Sequence, residues 1–167
     1  MRLTRIGLRD FKRHKQLEIE PAAGLTIIRG PNESGKSSIR QALELVLFRK
    51  ADANRDDLRK AHAWDSQEPP QVEIEFEVDG QAGALSKRFA GARSEAALSL
   101  DGETIHDHTL IADRIAAITG IPTEAFFRAT ASVGHAELGA VAGDEPMIRD
   151  RLQKAISGAD RGTAKAR

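Results

Sequence analysis

The fold of this chain is constrained most strongly by nine residues near its N-terminus, GPNESGKSS at positions 30–38. Gly30, Gly35, Lys36 and Ser37 stand at the G-x-x-x-x-G-K-S spacing of a phosphate-binding loop. The glycines allow the backbone to wrap tightly with its N–H groups turned inward, and a following helix adds the positive end of its dipole. The pattern therefore predicts a site for a nucleoside triphosphate between a strand and a helix.

The loop residues have expected roles in binding ATP with Mg²⁺, which are the predicted cofactors. Lys36 would reach the β- and γ-phosphates and act in catalysis, and the Ser37 hydroxyl would ligate the metal. Ser38 would begin the helix near the α-phosphate. The predicted nucleotide-binding residues of the loop are Gly30, Pro31, Asn32, Glu33, Ser34, Gly35, Lys36, Ser37 and Ser38.

The residues around the loop have the hydropathy pattern that such a site requires. An apolar run at 24–30 predicts a central strand before the loop, and apolar residues at helical spacing predict a helix over 39–47. Alternating apolar residues predict three further strands, at 1–11, 16–21 and 71–80.

The remaining pattern indicates an α/β fold with an antiparallel β insertion rather than a repeated βαβ unit. Asp101-Gly102 is the signature of a two-residue hairpin turn. The other predicted elements are an antiparallel pair at 83–90 and 95–105, helices at 111–118 and 144–158, a polar loop or partly ordered excursion at 49–70, and a segment at 121–134 that fits a helix or a strand.

Composition excludes several classes of protein. The 25 basic and 25 acidic side chains balance, so no global charge draws the chain to nucleic acid or to a membrane. The absence of cysteine excludes disulfides, and aromatic residues at 4% disfavour a protein that stacks bases. The apolar runs are too short to cross a bilayer, and the N-terminus is too charged for a signal peptide. We therefore expect a cytoplasmic protein without a membrane partner.

A P-loop ATPase also needs a second acid, usually an aspartate after an apolar strand, to hold the Mg²⁺ shell. The candidates lack this context, since Asp65 follows AHAW and Asp79 ends an alternating strand. Asp101 follows AALSL but precedes Gly102 in the predicted hairpin turn. The sequence thus predicts a site that this chain does not complete.

Four stretches resemble the SMC-like DNA-repair ATPases, the family of RecF, RecN, SbcC and the YhaN-type proteins. Asn32 and Glu33 inside the loop resemble that family, and residues 8–30 look like its opening strands. Residues 126–138 are similar to the family's Q-loop segment, and residues 152–162 resemble the helix that leads to its long coiled coil. The resemblance implies one lobe of a P-loop NTPase head of the ABC and SMC-like type.

In that family two halves of the sequence assemble the head, and the signature loop and the Walker B acids belong to the second half. The resemblance therefore implies that residues 1–160 are the N-terminal lobe and that 161–167 begin a linker or coiled coil, or end a trimmed chain. It implies a function in which two heads sandwich Mg-ATP and act on DNA at the nucleoid. The partners implied are a C-terminal lobe of the same protein or of another chain, a second ATPase head, DNA, and a nuclease.

The same resemblance suggests three more site residues. His135 stands where the family has a glutamine that reaches Mg²⁺ and the attacking water, so it is a candidate for catalysis and metal binding, or else a surface histidine. Arg13 and His14 would approach the nucleotide from this lobe, or else form a solvated basic turn.

Other interpretations remain open at this stage. The chain could be a small P-loop kinase with residues 49–65 as its lid, or a nucleotide-binding DNA scaffold that has lost turnover. His106 and His108 lack a third ligand for a metal site. A set of basic residues would face DNA or adenine, or form a solvated loop: Arg49, Lys50, Arg55, Arg59 and Lys60.

Overall fold

An antiparallel sheet of six strands dominates the computed structural model. Its strands run in the spatial order β2-β1-β3-β4-β5-β6, and every neighbouring pair is antiparallel. The chain divides into two compact units, Met1–Ile118, which holds this sheet, and Thr119–Arg167. The described residues are 1–51, 60–63, 65–132 and 153. The strands are β1 (Arg2–Phe11), β2 (His14–Ile19), β3 (Gln71–Val78), β4 (Gln81–Arg88), β5 (Glu95–Leu100) and β6 (Glu103–Ile105).

Alternation along the strands gives the sheet one buried face and one exposed face. Val72, Ile74 and Phe76 of β3 are buried, while the glutamates between them are half-buried, as the hydropathy pattern predicts. The outer face is held by charge pairing between neighbouring strands. There Arg5 of β1 forms ion pairs with Glu18, Glu73 and Glu75.

Two of the hairpins turn at an Asp-Gly pair. Asp79 and Gly80 have φ values of 51° and 81°, and Asp101 and Gly102 have φ values of 54° and 78°. Left-handed backbone at both central positions is the geometry of a type I′ turn, whose twist matches that of the flanking strands. The predicted turn at Asp101 is confirmed, so this carboxylate lies at a hairpin tip.

Apart from the single helical residue Gln153, the described residues form three α-helices. Helix α1 (Lys36–Phe48) contacts β1, β3 and β4 through a face that includes the fully buried Ala42 and Val46. Helix α2 (His108–Thr119) is capped by Asp107, whose carboxylate accepts from two backbone N–H groups and thereby has a lowered pKa. In the second unit, the segment that fitted a helix or a strand forms helix α3 (Glu124–Thr130).

The predicted central strand at 24–30 is wrong. This segment forms no strand and has no ladder pairing to the described strands, and its apolar side chains are in solvent. Leu25 is 83% exposed, Ile27 62% and Ile28 44%. The apolar composition of this run is typical of a buried strand. A strand also needs a neighbouring strand for its backbone hydrogen bonds, and no described strand lies beside this segment.

The polar segment at 49–70, predicted as a loop or partly ordered excursion, is ordered at residues 60–63, which pair with the end of β1. Ala61 and Ala63 are buried, and His62 forms an isolated antiparallel bridge with Phe11. Apart from Gln153, which is helical, the predicted helix at 144–158 lies outside the described residues, as do residues 161–167.

Lys87 is a charged side chain on the buried face of β4. Its Nζ donates a hydrogen bond of 2.7 Å to the carbonyl of Arg49, the residue that ends α1. Burial lowers the pKa of this ammonium group to about 8. Lys87 therefore joins the sheet to the C-terminal end of the helix that follows the loop.

Candidate nucleotide-binding site

The loop at 30–38 leads directly into the N-terminus of α1. Gly35 is the N-cap residue with φ 91°, and its carbonyl accepts the first bond of the helix from Ser38 N at 3.0 Å. Ser34 N donates to the carbonyl of Pro31 at 3.3 Å, which closes a turn inside the loop. The first N–H groups of a helix have no acceptor within it, so they are available to an anion here.

The Lys36 side chain folds back along this loop. Its Nζ donates to the carbonyls of Gly30 at 2.8 Å and Pro31 at 2.6 Å, and lies 3.3 Å from Ser34 Oγ. A Cβ added at Gly30 would lie 2.8 Å from the same Ser34 Oγ, so the loop approaches itself closely at this glycine. The ammonium group is thus held at the centre of the curled loop, where the phosphates are expected.

The other loop residues differ in accessibility. Asn32 and Glu33 are exposed, and Glu33 has left-handed backbone with φ 62°. Ser37 presents its side chain to solvent at the first turn of α1, whereas Ser38 is buried. The Ser37 hydroxyl is therefore the one that fits a metal bound to phosphate, and the loop amides and Lys36 fit the phosphates themselves.

The turn between β1 and β2 lies against the loop. His14 Nε2 is 3.1 Å from the Gly35 carbonyl oxygen, and Arg13 Cδ would lie 2.9 Å from a Cβ built on Gly35. The structure thus brings both residues that the resemblance suggested to the loop. The contact it shows is with the loop backbone.

Residues 60–63 support this turn from its far side. Lys12 N donates to the carbonyl of Ala61 at 2.7 Å, and Ala63 N donates to the carbonyl of Asp10 at 3.2 Å. The Lys12 ammonium also bonds Gln41 of α1, and its pKa is lowered by burial and by the nearby Lys60 charge. Sequence reasoning missed this support, for which the alternation of small alanines in AHA was the available signal.

The aspartates considered as second acid are occupied elsewhere. Asp65 pairs with Lys15 at 2.9 Å, which lowers the pKa of the carboxyl and raises that of the amine. Asp79 and Asp101 lie in the hairpin turns. That the chain leaves its site incomplete stays a prediction.

The remaining candidates do not join the loop in the described structure. His106 Nδ1 contacts the Ala96 carbonyl at 3.1 Å, and the described residues contain no group of three potential metal ligands. Lys50 donates to Thr109 Oγ1 at 3.1 Å. His135, Arg55 and Arg59 lie outside the described residues.

Comparison with known proteins identifies the family. Residues 5–125 match the AAA domain family AAA_23. The chain belongs to this family. The chain is 25% identical over 160 residues to the DNA double-strand break repair Rad50 ATPase of Methanosarcina mazei, covering 91% of this chain and 15% of that protein. Over 77 residues it is 39% identical to the DNA replication and repair protein RecF of Desulforudis audaxviator, covering 46% of this chain and 21% of that one.

The fold comparison agrees. A chain solved in a study of ATP-driven dimerization and DNA-stimulated activation of SMC ATPases superposes with a TM-score of 0.66 at 21% identity, covering 93% of this AAA_23 chain and 99% of that one. The resemblance to SMC-like ATPase heads and the α/β P-loop fold class are therefore confirmed. The chain spans only a small part of the Rad50 and RecF relatives. Among its described helices, none combines the length and hydropathy that crossing a membrane requires.

Proposed function

We propose that this chain is the ATP-binding half of an SMC-like ATPase head, which dimerises around Mg-ATP and acts on DNA. The observation that carries this proposal is the loop at 30–38, curled around the Lys36 ammonium at the N-terminus of α1. The similarity to Rad50 and RecF supports DNA repair as the setting, and thus a cytoplasmic, nucleoid-associated location.

The proposal assigns a separate role to each of the candidate site residues. The loop amides and Lys36 hold the phosphates, and the Ser37 hydroxyl ligates Mg²⁺, which offsets phosphate charge when bound. Arg13, exposed beside Gly35, adds positive charge near the phosphates. His135 is proposed as the residue that orients water or metal from the Q-loop position.

The exposed segment before the loop suggests what completes the head. Leu25, Ile27 and Ile28 form an exposed apolar run that has no strand beside it in the described structure. Unpaired backbone next to apolar side chains is a template for strand addition. We therefore propose that a C-terminal lobe, from the same protein or another chain, adds its strand here and brings the second acid.

Nucleotide binding is tested by replacing Lys36. Lys36→Ala is expected to weaken ATP binding to the chain by roughly 10- to 100-fold, because an ionised donor to phosphate is lost. The measurement is a calorimetric titration with Mg-ATP. Lys50→Ala is the matched control, since that lysine lies about 20 Å away at the other end of α1. Equal affinity of Lys36→Ala and the wild type would remove the basis for this site.

The two-lobe arrangement is tested by co-expression with a C-terminal lobe. Ile27→Asp is expected to abolish co-purification and ATP hydrolysis, because a buried carboxylate would interrupt the added strand. Leu110→Asp is the matched control, since Leu110 is also exposed, at 57%, but lies on α2. The chain alone is expected to hydrolyse ATP negligibly. Brisk hydrolysis by the chain alone, lost in Lys36→Ala, would contradict the half-site proposal, and phosphate transfer to a small acceptor would indicate a kinase.

A further inference from the structure

Gly35 is the point at which the β1–β2 turn meets the phosphate loop. Its carbonyl oxygen lies within hydrogen-bond distance of two groups, Ser38 N at 3.0 Å and His14 Nε2 at 3.1 Å. A carbonyl oxygen can only accept, so the imidazole is the donor. No side chain caps this end of α1, and His14 is not a cap either, because it donates to the Gly35 carbonyl rather than accepting from a free N–H group.

The direction of this contact has a consequence for the next amide. The Gly35 carbonyl and the Lys36 N–H belong to one planar trans peptide, in which the two groups point in opposite directions. Holding the carbonyl toward His14 therefore turns the Lys36 N–H away from His14. This N–H belongs to the first turn of α1, where phosphate is expected to bind.

The fit at Gly35 is too close for any side chain. A Cβ at this position would overlap His14 Nε2 and lie 2.6 Å from His14 Cε1, and the φ of 91° already favours glycine. The histidine thus lies directly against the peptide whose orientation it determines.

The β1–β2 turn is itself held in place. Asp10 and Lys12 adopt left-handed backbone, with φ values of 48° and 54°, which non-glycine residues adopt only when surrounding contacts hold them. Those contacts are the backbone bonds of Asp10 with Ala63 and of Lys12 with Ala61, together with the Lys12 side-chain bond to Gln41. His14 is therefore presented to Gly35 by a fixed support.

We infer that His14 is a positioning residue, which orients the Gly35–Lys36 peptide so that the Lys36 amide can bind phosphate. This inference rests on the proposed nucleotide-binding function. It assigns His14 a role through the loop rather than through the nucleotide. The affinity of the loop for phosphate should therefore depend on a hydrogen-bond donor at position 14. Replacing that donor should change the affinity equally for every ligand that presents the same phosphates.

The test compares His14→Gln with His14→Met. The two new side chains have similar length, but only glutamine has an N–H group that can donate. His14→Met is expected to weaken binding of both Mg-ATP and inorganic tripolyphosphate by roughly tenfold, the effect of one hydrogen bond, while His14→Gln retains most of the affinity. In the nucleotide-free protein, the ¹⁵N signal of the Lys36 amide should move in His14→Met and return toward its wild-type position in His14→Gln. His106→Met is the matched control, because His106 also contacts a backbone carbonyl at 3.1 Å.

Each other outcome overturns the inference in its own way. If His14→Met lost affinity for Mg-ATP alone, His14 would be in contact with the nucleoside. If His14→Met lost affinity for both ligands while the ¹⁵N signal of the Lys36 amide stayed in place, His14 would contact the phosphates directly. Unchanged affinities in His14→Met would remove the role. If the wild-type chain binds neither ligand, the proposed function fails, and the Lys36 amide signal still decides whether His14 orients this peptide.

Discussion

The free energy of unfolding is expected to rise by about 3 kcal/mol as the pH increases from 8 to 10.5, because the buried Lys87 loses its proton in the folded protein first. Burial lowers the pKa of this lysine to about 8 in the folded protein, from 10.5 in the unfolded chain. Between these values the unfolded chain binds a proton that the folded chain does not, so stability increases with pH. The contribution is complete above pH 10.5 and is lost as the pH falls through 8, where the fold must hold a buried charge.

The measurement is urea unfolding of the wild type and of Lys87→Met at several values of pH, followed by circular dichroism. Methionine has a similar length and no charge, so the difference between the two proteins should change by about 3 kcal/mol between pH 7 and pH 10.5. At high pH the wild type should be the more stable by about 1 kcal/mol, because the bond to the Arg49 carbonyl remains.

Other groups affect this experiment little. The chain has no tyrosine or cysteine, so no phenol or thiol titrates in the interval. Lys12, whose pKa is also lowered, is present in both proteins and its effect cancels in the difference. Parallel stability curves for the two proteins would show that the Lys87 ammonium is not desolvated as described.

Gly83→Ala is expected to lower the free energy of unfolding by about 2 kcal/mol through overpacking. Gly83 pairs with Phe76 across β3 and β4, and the phenyl ring lies over the glycine. A Cβ there would lie 2.5 Å from Phe76 Cε2, and 3.1 Å from Leu100 Cδ1 on the other side. The ring is almost completely buried, so it cannot move aside without disturbing the core. Urea unfolding measures the change.

Gly7→Ala is the control for this variant. Gly7 lies on β1 of the same sheet, and a Cβ there would meet nothing closer than 3.7 Å, so its replacement should change stability by less than about 0.5 kcal/mol. The double variant Gly83→Ala, Phe76→Leu should lose less free energy of unfolding than the sum of the two single variants. The reason is that leucine leaves room for the new methyl group where the Phe76 ring lies in the wild type. Additive losses would show that the ring is not the obstacle.

Local patterns in the sequence were sufficient to predict most of the elements. The alternation in β3, the Asp101-Gly102 turn and the helical spacing after the loop each involve residues close together in the chain. The loop at 30–38 was predictable for the same reason, since its geometry depends on glycines and a lysine at fixed spacing. Interactions of this range are encoded in single segments and need no knowledge of the rest of the fold.

The environment of the loop was much less predictable. The bond between His14 and Gly35 joins residues 21 positions apart, and the support of Lys12 by Ala61 spans about 50 positions. Such contacts depend on how strands and segments pack together, and hydropathy carries no signal for their geometry. The resemblance to SMC-like heads indicated that Arg13 and His14 approach the site, but not that they touch the loop backbone.

The predicted strand at 24–30 failed for a different reason. Its composition is that of a buried strand, yet pairing is a property of two segments, and the partner is not among the described residues. Under the proposed addition of a strand from a C-terminal lobe, the hydropathy of this segment would match its environment in the complete head.

The exposed run of Leu25, Ile27 and Ile28 also has a consequence for biosynthesis. Under the proposed pairing with a C-terminal lobe of the same polypeptide, the segment leaves the ribosome long before its partner strand. Each hundred intervening residues adds roughly 5 to 20 s of translation, during which an exposed apolar segment can bind wrong partners. Thr26 within the run and Arg29 at its end interrupt its hydrophobicity, as residues that limit aggregation do. Under the proposed pairing, these two polar side chains would limit aggregation of the segment until its partner strand is made.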